Sequence, residues 1–187
     1  MPCAICSQIP DQLTANTGRE HYLPETTTPL QPLGWGSRDE DLWKCPQCDN
    51  LYTYYSEQAF TGSGNNDEDV LTRLTPEQAG VVRAFAIAGT GAADAREEDA
   101  FFALPPLAHS VALSRAYQQN REVVRRLIPR IVAELARTSS FQYRDTLIGL
   151  GKARKDDARR IIDEIRKLAV EKGQPLDWVR QQCEASL

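Results

Sequence analysis

The sequence predicts an α+β fold, mostly α, with a small β module at residues 1–60 packed on a C-terminal α-helical bundle at residues 75–187. Three observations carry this expectation. Cys3-Ala4-Ile5-Cys6 and Cys45-Pro46-Gln47-Cys48 are two CxxC pairs, the spacing that lets two thiolates on one tight turn reach one metal ion. Leu51-Tyr52-Thr53-Tyr54-Tyr55-Ser56 leaves the second pair as an aromatic and β-branched run, the composition of a strand. From Thr75 onward, apolar residues recur at helical spacing between caps, prolines and glycines.

The 187 residues suffice for one domain with a full core, or for a small module beside a larger one. Hydrophobic content of 41% and charged content of 26% are those of a soluble globular chain. No run of 18 apolar residues is present, which argues against a membrane-spanning helix. The opening residues show neither a basic nor an apolar leader pattern, so a cytoplasmic protein is expected, and a bacterial one fits the overall reading. Cysteines in CxxC pairs without a secretory context read as metal ligands rather than a disulfide framework.

The net charge of −4 is unevenly spread. Residues 1–75 carry a balance of −7 and the remainder +3, with 15 basic and 8 acidic side chains in residues 113–172. Solvated helix faces, and an acidic module docked on a basic one, account for this distribution. The alternative is a basic surface for nucleic acid or an acidic partner, which the net acidic charge disfavours.

Taken in order, residues 7–41 are rich in Pro, Thr and Gly and are expected to form ordered loop, with a short strand around His21-Tyr22-Leu23 and a turn at Gly34-Trp35-Gly36. Asp41-Leu42-Trp43-Lys44 enters the second cysteine pair as a strand. Residues 61–70 are acidic and Gly-rich, and 61–74 are expected to be a linker; the triplet Asp67-Glu68-Asp69 lacks the spacing of a calcium loop. Thr75-Pro76-Glu77-Gln78 is a capping box with proline in the first turn, and its helix should run to Gly89. A short helix from Asp94 and an apolar plug, Phe101 to Leu104, precede a helix over 107–119 with Leu107, Val111, Ser114 and Tyr117 inward. Asn120 should cap a helix whose core positions are Val123, Val124, Leu127, Ile128, Ile131, Val132 and Leu135, divided or kinked at Pro129. A helix from Phe141 to Leu150 should close at Gly149 and Gly151. Asp156-Asp157 open the most regular helix, with Ala158, Ile161, Ile162, Ile165, Leu168 and Ala169 on one face and Gly173 beyond its end. Pro175 opens the last helix, carrying Leu176, Trp178 and Val179.

Strand, CPxC turn, strand is a knuckle-bearing hairpin, and together with the first pair it resembles the zinc-ribbon class, in which two knuckles from separate hairpins share one ion. The resemblance covers residues 1–60 and implies that Cys3, Cys6, Cys45 and Cys48 hold one structural Zn²⁺ per chain. Residues 144–162 are faintly similar to one HEAT-type repeat, but no second copy follows, so a compact bundle is expected.

Four thiolates at about 2.3 Å leave no position for water, so such a site holds structure and does no chemistry. Thiol-redox chemistry is the competing role, since Trp43-Lys44-Cys45-Pro46-Gln47-Cys48 superficially resembles a thioredoxin active site; it needs a helix after the CxxC to lower the thiol pKa, and a strand is expected there. Cys183 reads as a small core residue, with a nucleophile in a small hydrolase as the alternative. His21 and His109 read as structural or surface residues, His109-Ser110 not forming a ready pair on a helix. Gly89-Thr90-Gly91 follows a helix rather than a strand, and Gly149-Leu150-Gly151-Lys152 misses the Walker spacing, so neither is a nucleotide site. The aromatics Trp35, Trp43, Tyr52, Tyr54 and Tyr55 concentrate near the cysteines, with Tyr52 and Tyr54 on one strand face and Leu51, Thr53 and Tyr55 on the other, both faces covered. The expected function is non-enzymatic: a zinc-stabilised adaptor or toxin-neutralising, inhibitor-like protein whose partner is another protein, with nucleic-acid binding as the alternative and no membrane.

Overall fold

Antiparallel pairing organises the N-terminal half. The computed structural model describes residues 3–16, 22–37, 39–61, 64–91, 94–168 and 174–187. Five strands, β1 (Gln12–Asn16), β2 (Gln31–Pro32), β3 (Glu40–Lys44), β4 (Leu51–Thr61) and β5 (Gly64–Arg73), form one sheet in the order β1-β5-β4-β3-β2. Every neighbouring pair is antiparallel. Among the described residues eight α-helices follow: α1 (Pro76–Arg83), α2 (Ala95–Phe102), α3 (Pro106–Gln119), α4 (Arg121–Arg126), α5 (Ile128–Thr138), α6 (Phe141–Ala153), α7 (Lys155–Leu168) and α8 (Gln174–Glu184). The fold is therefore α+β and mostly α, as the sequence predicts.

The two faces of the sheet have different partners. Register aligns Leu42 with Thr53 and Thr72, and Leu42, Leu51 and Leu74 join the helices in the larger core cluster. On the opposite face Trp43, Tyr52, Tyr54, Leu71 and Leu13 pack with Cys3, Ile5, Cys6, Ile9, Leu30 and Cys45 in a second, smaller cluster. The alternation along β4 thus places Tyr52 and Tyr54 under the cysteine loops and Leu51 and Thr53 against the helices. Both faces are covered, and Tyr52 is fully buried.

Two loop expectations are overturned. Residues 12–16 form β1, and most of the acidic stretch 61–70 belongs to β5. Neither segment has strand composition throughout; each is recruited by the hydrogen-bonding edge beside it. β4 captures β5 from Thr61↔Gly64 to Tyr52↔Arg73, and β5 then pairs with β1 at Gln12↔Thr72 through Asn16↔Glu68. Tertiary pairing outweighs a β propensity that spans only about 1 kcal/mol. The strand expected near residues 21–23 is absent at Tyr22 and Leu23, while His21 lies outside the described residues.

The first two helices start at side-chain caps, whereas Asn120, expected to cap the helix at Arg121, makes no side-chain cap bond. Thr75 Oγ1 accepts from the Gln78 N–H and Gln78 Oε1 from the Thr75 N–H, completing the capping box. α1 continues through a π-turn at Ala84–Ala88 to Gly89, whose φ of 63° closes it in the left-handed region. Asp94 caps α2 through the Glu97 N–H. Pro129 divides the next helix at Leu127 into α4 and α5, and all seven predicted core positions there are buried. α6 is the exception: it runs through both glycines to Ala153. A Cβ at Gly149 would stand 2.6 Å from the Tyr117 hydroxyl, and one at Gly151 2.6 Å from Cys183 Sγ. These glycines serve close packing rather than termination. On α7 the predicted face is buried except for Leu168, which is exposed; Ala169 and Gly173 lie outside the described residues. Leu176 and Val179 of α8 are buried and Trp178 is half exposed. No helix among the described residues is long and apolar enough to cross a membrane.

Candidate metal centre

Each cysteine pair sits on a turn that the backbone closes before any metal is considered. The second pair lies in the β3–β4 connection, where the Cys45 N–H donates to the Asn50 carbonyl (2.9 Å) and the Asp49 N–H to the Cys45 carbonyl (3.0 Å). Asp49 takes φ 59°, the left-handed conformation that turns the chain into β4, and Lys44 pairs with its carboxylate at 3.1 Å. Arg83 of α1 donates to the Asp49 carbonyl, tying this turn to the helices. The first pair departs from the zinc-ribbon pattern: it is followed by a single 3₁₀ turn, Cys6–Gln8, and by β1, which pairs with β5 rather than closing a second hairpin.

Arg73 fastens that first loop. From the end of β5 its guanidinium donates to the carbonyls of Cys6 and Ile9, its Nε donates to the Tyr52 hydroxyl at 3.2 Å, and it pairs with Asp11 at 3.0 Å. Its carbon also stands 5.5 Å from the Tyr52 ring centroid, and Trp43 stacks on Tyr54 at 4.6 Å beside it. The planar fork of arginine suits one side chain to this many acceptors.

These turns bring all four predicted cysteines together. Their Sγ atoms lie within 4.8 Å of one another, with Cys3–Cys45 at 3.7 Å and Cys6–Cys48 at 3.4 Å. A tetrahedron of thiolates around an ion at 2.3 Å has edges of about 3.8 Å. All are free cysteines, none joined in a disulfide. The donor set therefore can hold one metal ion. As thiols they are unequal. The backbone N–H of Cys6 heads the contacts that bring the Cys3 thiol down to about 7, while burial pushes Cys48 up to about 12 and raises Cys45. Backbone N–H groups of Gln47 and Cys48 oppose that rise at Cys45, and the N–H of Asn50 opposes it at Cys48. A bound cation outweighs such terms, because a coordinating thiol is deprotonated outright. The arrangement can fix two loops to each other and screen the Tyr52–Leu71 face.

The structure also places the other candidate residues. Cys183 is fully buried in the helical core, where desolvation raises its thiol to about 11, the opposite of an activated nucleophile. A strand, not a helix, follows Cys48, so the arrangement that lowers a redox thiol is missing there. His109 is buried, its ring 4.5 Å from Phe101 and 5.3 Å from Tyr143. Gly89 closes a helix, and residues 92–93 of that loop lie outside the described residues. Trp35 packs on the main core, with Arg115 over its ring at 5.4 Å.

Sequence reasoning missed Arg73, Arg83 and Asp41. Buried Asp41 accepts from the N–H groups of Gly34 (2.7 Å), Trp35 (3.0 Å) and Gly36 (3.2 Å), forming the turn that carries Trp35. The available signal was a carboxylate on a strand with alternating burial, a position where charge is costly without partners. Comparison with protein-family models, with curated proteins and with solved structures finds no match.

Proposed function

We propose that Cys3, Cys6, Cys45 and Cys48 hold one structural Zn²⁺ and that the protein acts without catalysis, as an adaptor or inhibitor-like binding protein with a protein partner. The observation that carries this reading is the convergence of four thiols within 4.8 Å on two loops already pinned by Arg73 and Arg83. Four protein ligands close the coordination sphere, so the ion supplies folding energy rather than a reactive water. The charge pattern favours a protein partner over nucleic acid. Arg125, Arg130, Arg137, Arg144, Arg159, Arg166 and Arg180 on the helices each meet a carboxylate within 4.0 Å, which leaves those guanidinium groups engaged rather than aligned for phosphates.

Native mass spectrometry before and after chelation tests the metal. One zinc per chain, with loss of cooperative unfolding on its removal, is the expected result; a metal-free chain lighter by two or four protons would mean disulfides instead. Association is tested by reconstituting a defined complex with a purified candidate protein and repeating the assay with single- and double-stranded nucleic acid. Tight nucleic-acid binding that weakens steeply with salt would replace the protein-partner reading.

A further inference from the structure

We infer that the cleft between the helix-facing side of the sheet and the ends of α2, α3, α5 and α6 is a binding site for a small amphipathic amine, a molecule with an aromatic or aliphatic body and one ammonium group. The cleft has a volume of about 680 Å³, within the range of sites that enclose small molecules. Its sheet wall is Glu40 of β3, Thr53 and Tyr55 of β4, and Val70 and Thr72 of β5. Opposite stand Phe102, His109, Ser110, Arg137 and Tyr143.

Three observations define the ligand. The inner wall is aromatic and uncharged: Phe102 and Tyr143 lie 5.2 and 5.3 Å from the His109 ring, and burial keeps that imidazole neutral at physiological pH. Such rings accept an apolar body edge-on or face-on; Arg130 already stands 5.2 Å from the Phe102 centroid, so the Tyr143 ring is the one left to attract a ligand cation. Second, the two charges in the lining are not equivalent. Arg137 is already held by the Glu134 carboxylate, at 2.6 and 2.8 Å. Glu40, half-buried on the sheet wall, donates its backbone N–H to Ser37 Oγ at 3.1 Å, but its carboxylate makes no hydrogen bond or ion pair among the described residues. The free charge is thus negative, and an ammonium group complements it. Third, His109 is 6% exposed, its Nδ1 stands 3.4 Å from the Tyr143 hydroxyl, and its Nε2 has no partner. A buried polar atom of this kind calls for one. A polar group on the ligand body that displaces the packing over this covered atom meets that need where apolar packing alone does not.

This site is separate from the cysteine cluster, which packs on the opposite face of the sheet, so zinc content and ligand binding are independent readouts. The test is titration of the zinc-loaded full chain, followed by amide NMR, with a panel of one- and two-ring arylalkylamines such as tryptamine. Each amine is matched by the carboxylate and the uncharged compound of the same body. The amines are expected to shift resonances of Tyr55, Val70, His109 and Tyr143 and to bind about tenfold more tightly than their carboxylate counterparts. Glu40→Gln should weaken the amines about tenfold and leave the uncharged compounds unchanged, with zinc content and melting temperature preserved as the fold control. Failure of every amine to perturb the cleft, equal affinity across each matched set, or indifference to Glu40→Gln overturns the inference.

Discussion

Arg73 shows how one side chain can join a local turn to the whole sheet. It reaches two carbonyls of the first cysteine loop, the Tyr52 hydroxyl and the Asp11 carboxylate. Groups that orient a ligand loop typically affect metal affinity by about 10–100-fold. Arg73→Lys keeps the charge and loses the fork, so zinc affinity is expected to fall about tenfold, measured by competition with a chromophoric chelator. An unchanged affinity would show that the first loop is set by its own turn. His109 supplies a second prediction. Its imidazole is depressed from 6.5 to about 4, chiefly by burial, against which the Glu134 carboxylate acts; the Tyr143 hydroxyl faces it from α6. The unfolded chain therefore takes a proton near pH 6.5 that the native state refuses. Stability lost on this account is nil above about pH 7 and accumulates to about 2–3 kcal/mol by pH 4. Relative to His109→Phe, the native chain should lose that much more on acidification, measured by urea unfolding across the range. Parallel acid limbs would show that the ring is not held neutral. None of these roles follows from residue type alone, since Arg73, Asp41 and His109 acquire partners from strands and helices distant in sequence.

Individual elements differ in how much their own residues decide. α1 and α2 begin where the Thr75 and Asp94 side chains cap them and α5 where Pro129 enters its first turn, because caps and prolines act within one turn; Asn120 makes no side-chain cap bond to α4, and α7 starts at Lys155, one residue before Asp156. β1 and β5 were not legible, because their stability comes from neighbours: Gln12 to Asn16 offers little intrinsic preference, and the acidic start of β5 less still. α6 ran past its expected end for a related reason, since glycine is a helix stop only when nothing else requires its lack of a side chain. At Gly151 the requirement is the thiol of Cys183. Gly151→Ala gains helix propensity of about 1 kcal/mol but forces the contact apart, and a net loss of about 1–2 kcal/mol is expected. Cys183→Ala removes the sulfur, leaving its Cβ 3.6 Å away, so the double variant should recover most of that loss. Additive single effects in a double-mutant cycle would place the cost of Gly151→Ala elsewhere.

At the scale of the molecule, two apolar clusters share one sheet. The larger joins Leu42, Leu51 and Leu74 to the helices, and the smaller seals Tyr52 and Leu71 beneath the cysteine loops. Chelation should therefore act unevenly. The near-ultraviolet signal of the Trp43–Tyr54 stack is expected to collapse while the far-ultraviolet helical signal persists, giving two separate thermal transitions where the loaded protein has one. A single coincident transition without metal would show that the smaller cluster holds without it. The cysteine set was legible in the sequence because two CxxC turns need only short-range geometry. The cleft was not, because its walls come from residues 40–72 and 102–143, and only the packing of sheet on helices brings them face to face.

The outer margin of the sheet has a further consequence. β2 is two residues long, and because the Leu33 N–H turns inward to the Leu42 carbonyl at 2.8 Å, the alternation of the strand points the nitrogen of Pro32 outward. A strand from another molecule arriving there would meet a ring where it needs a donor. Intermolecular β addition is blocked on that side by a missing hydrogen atom, and self-assembly into fibrils finds no template at this edge.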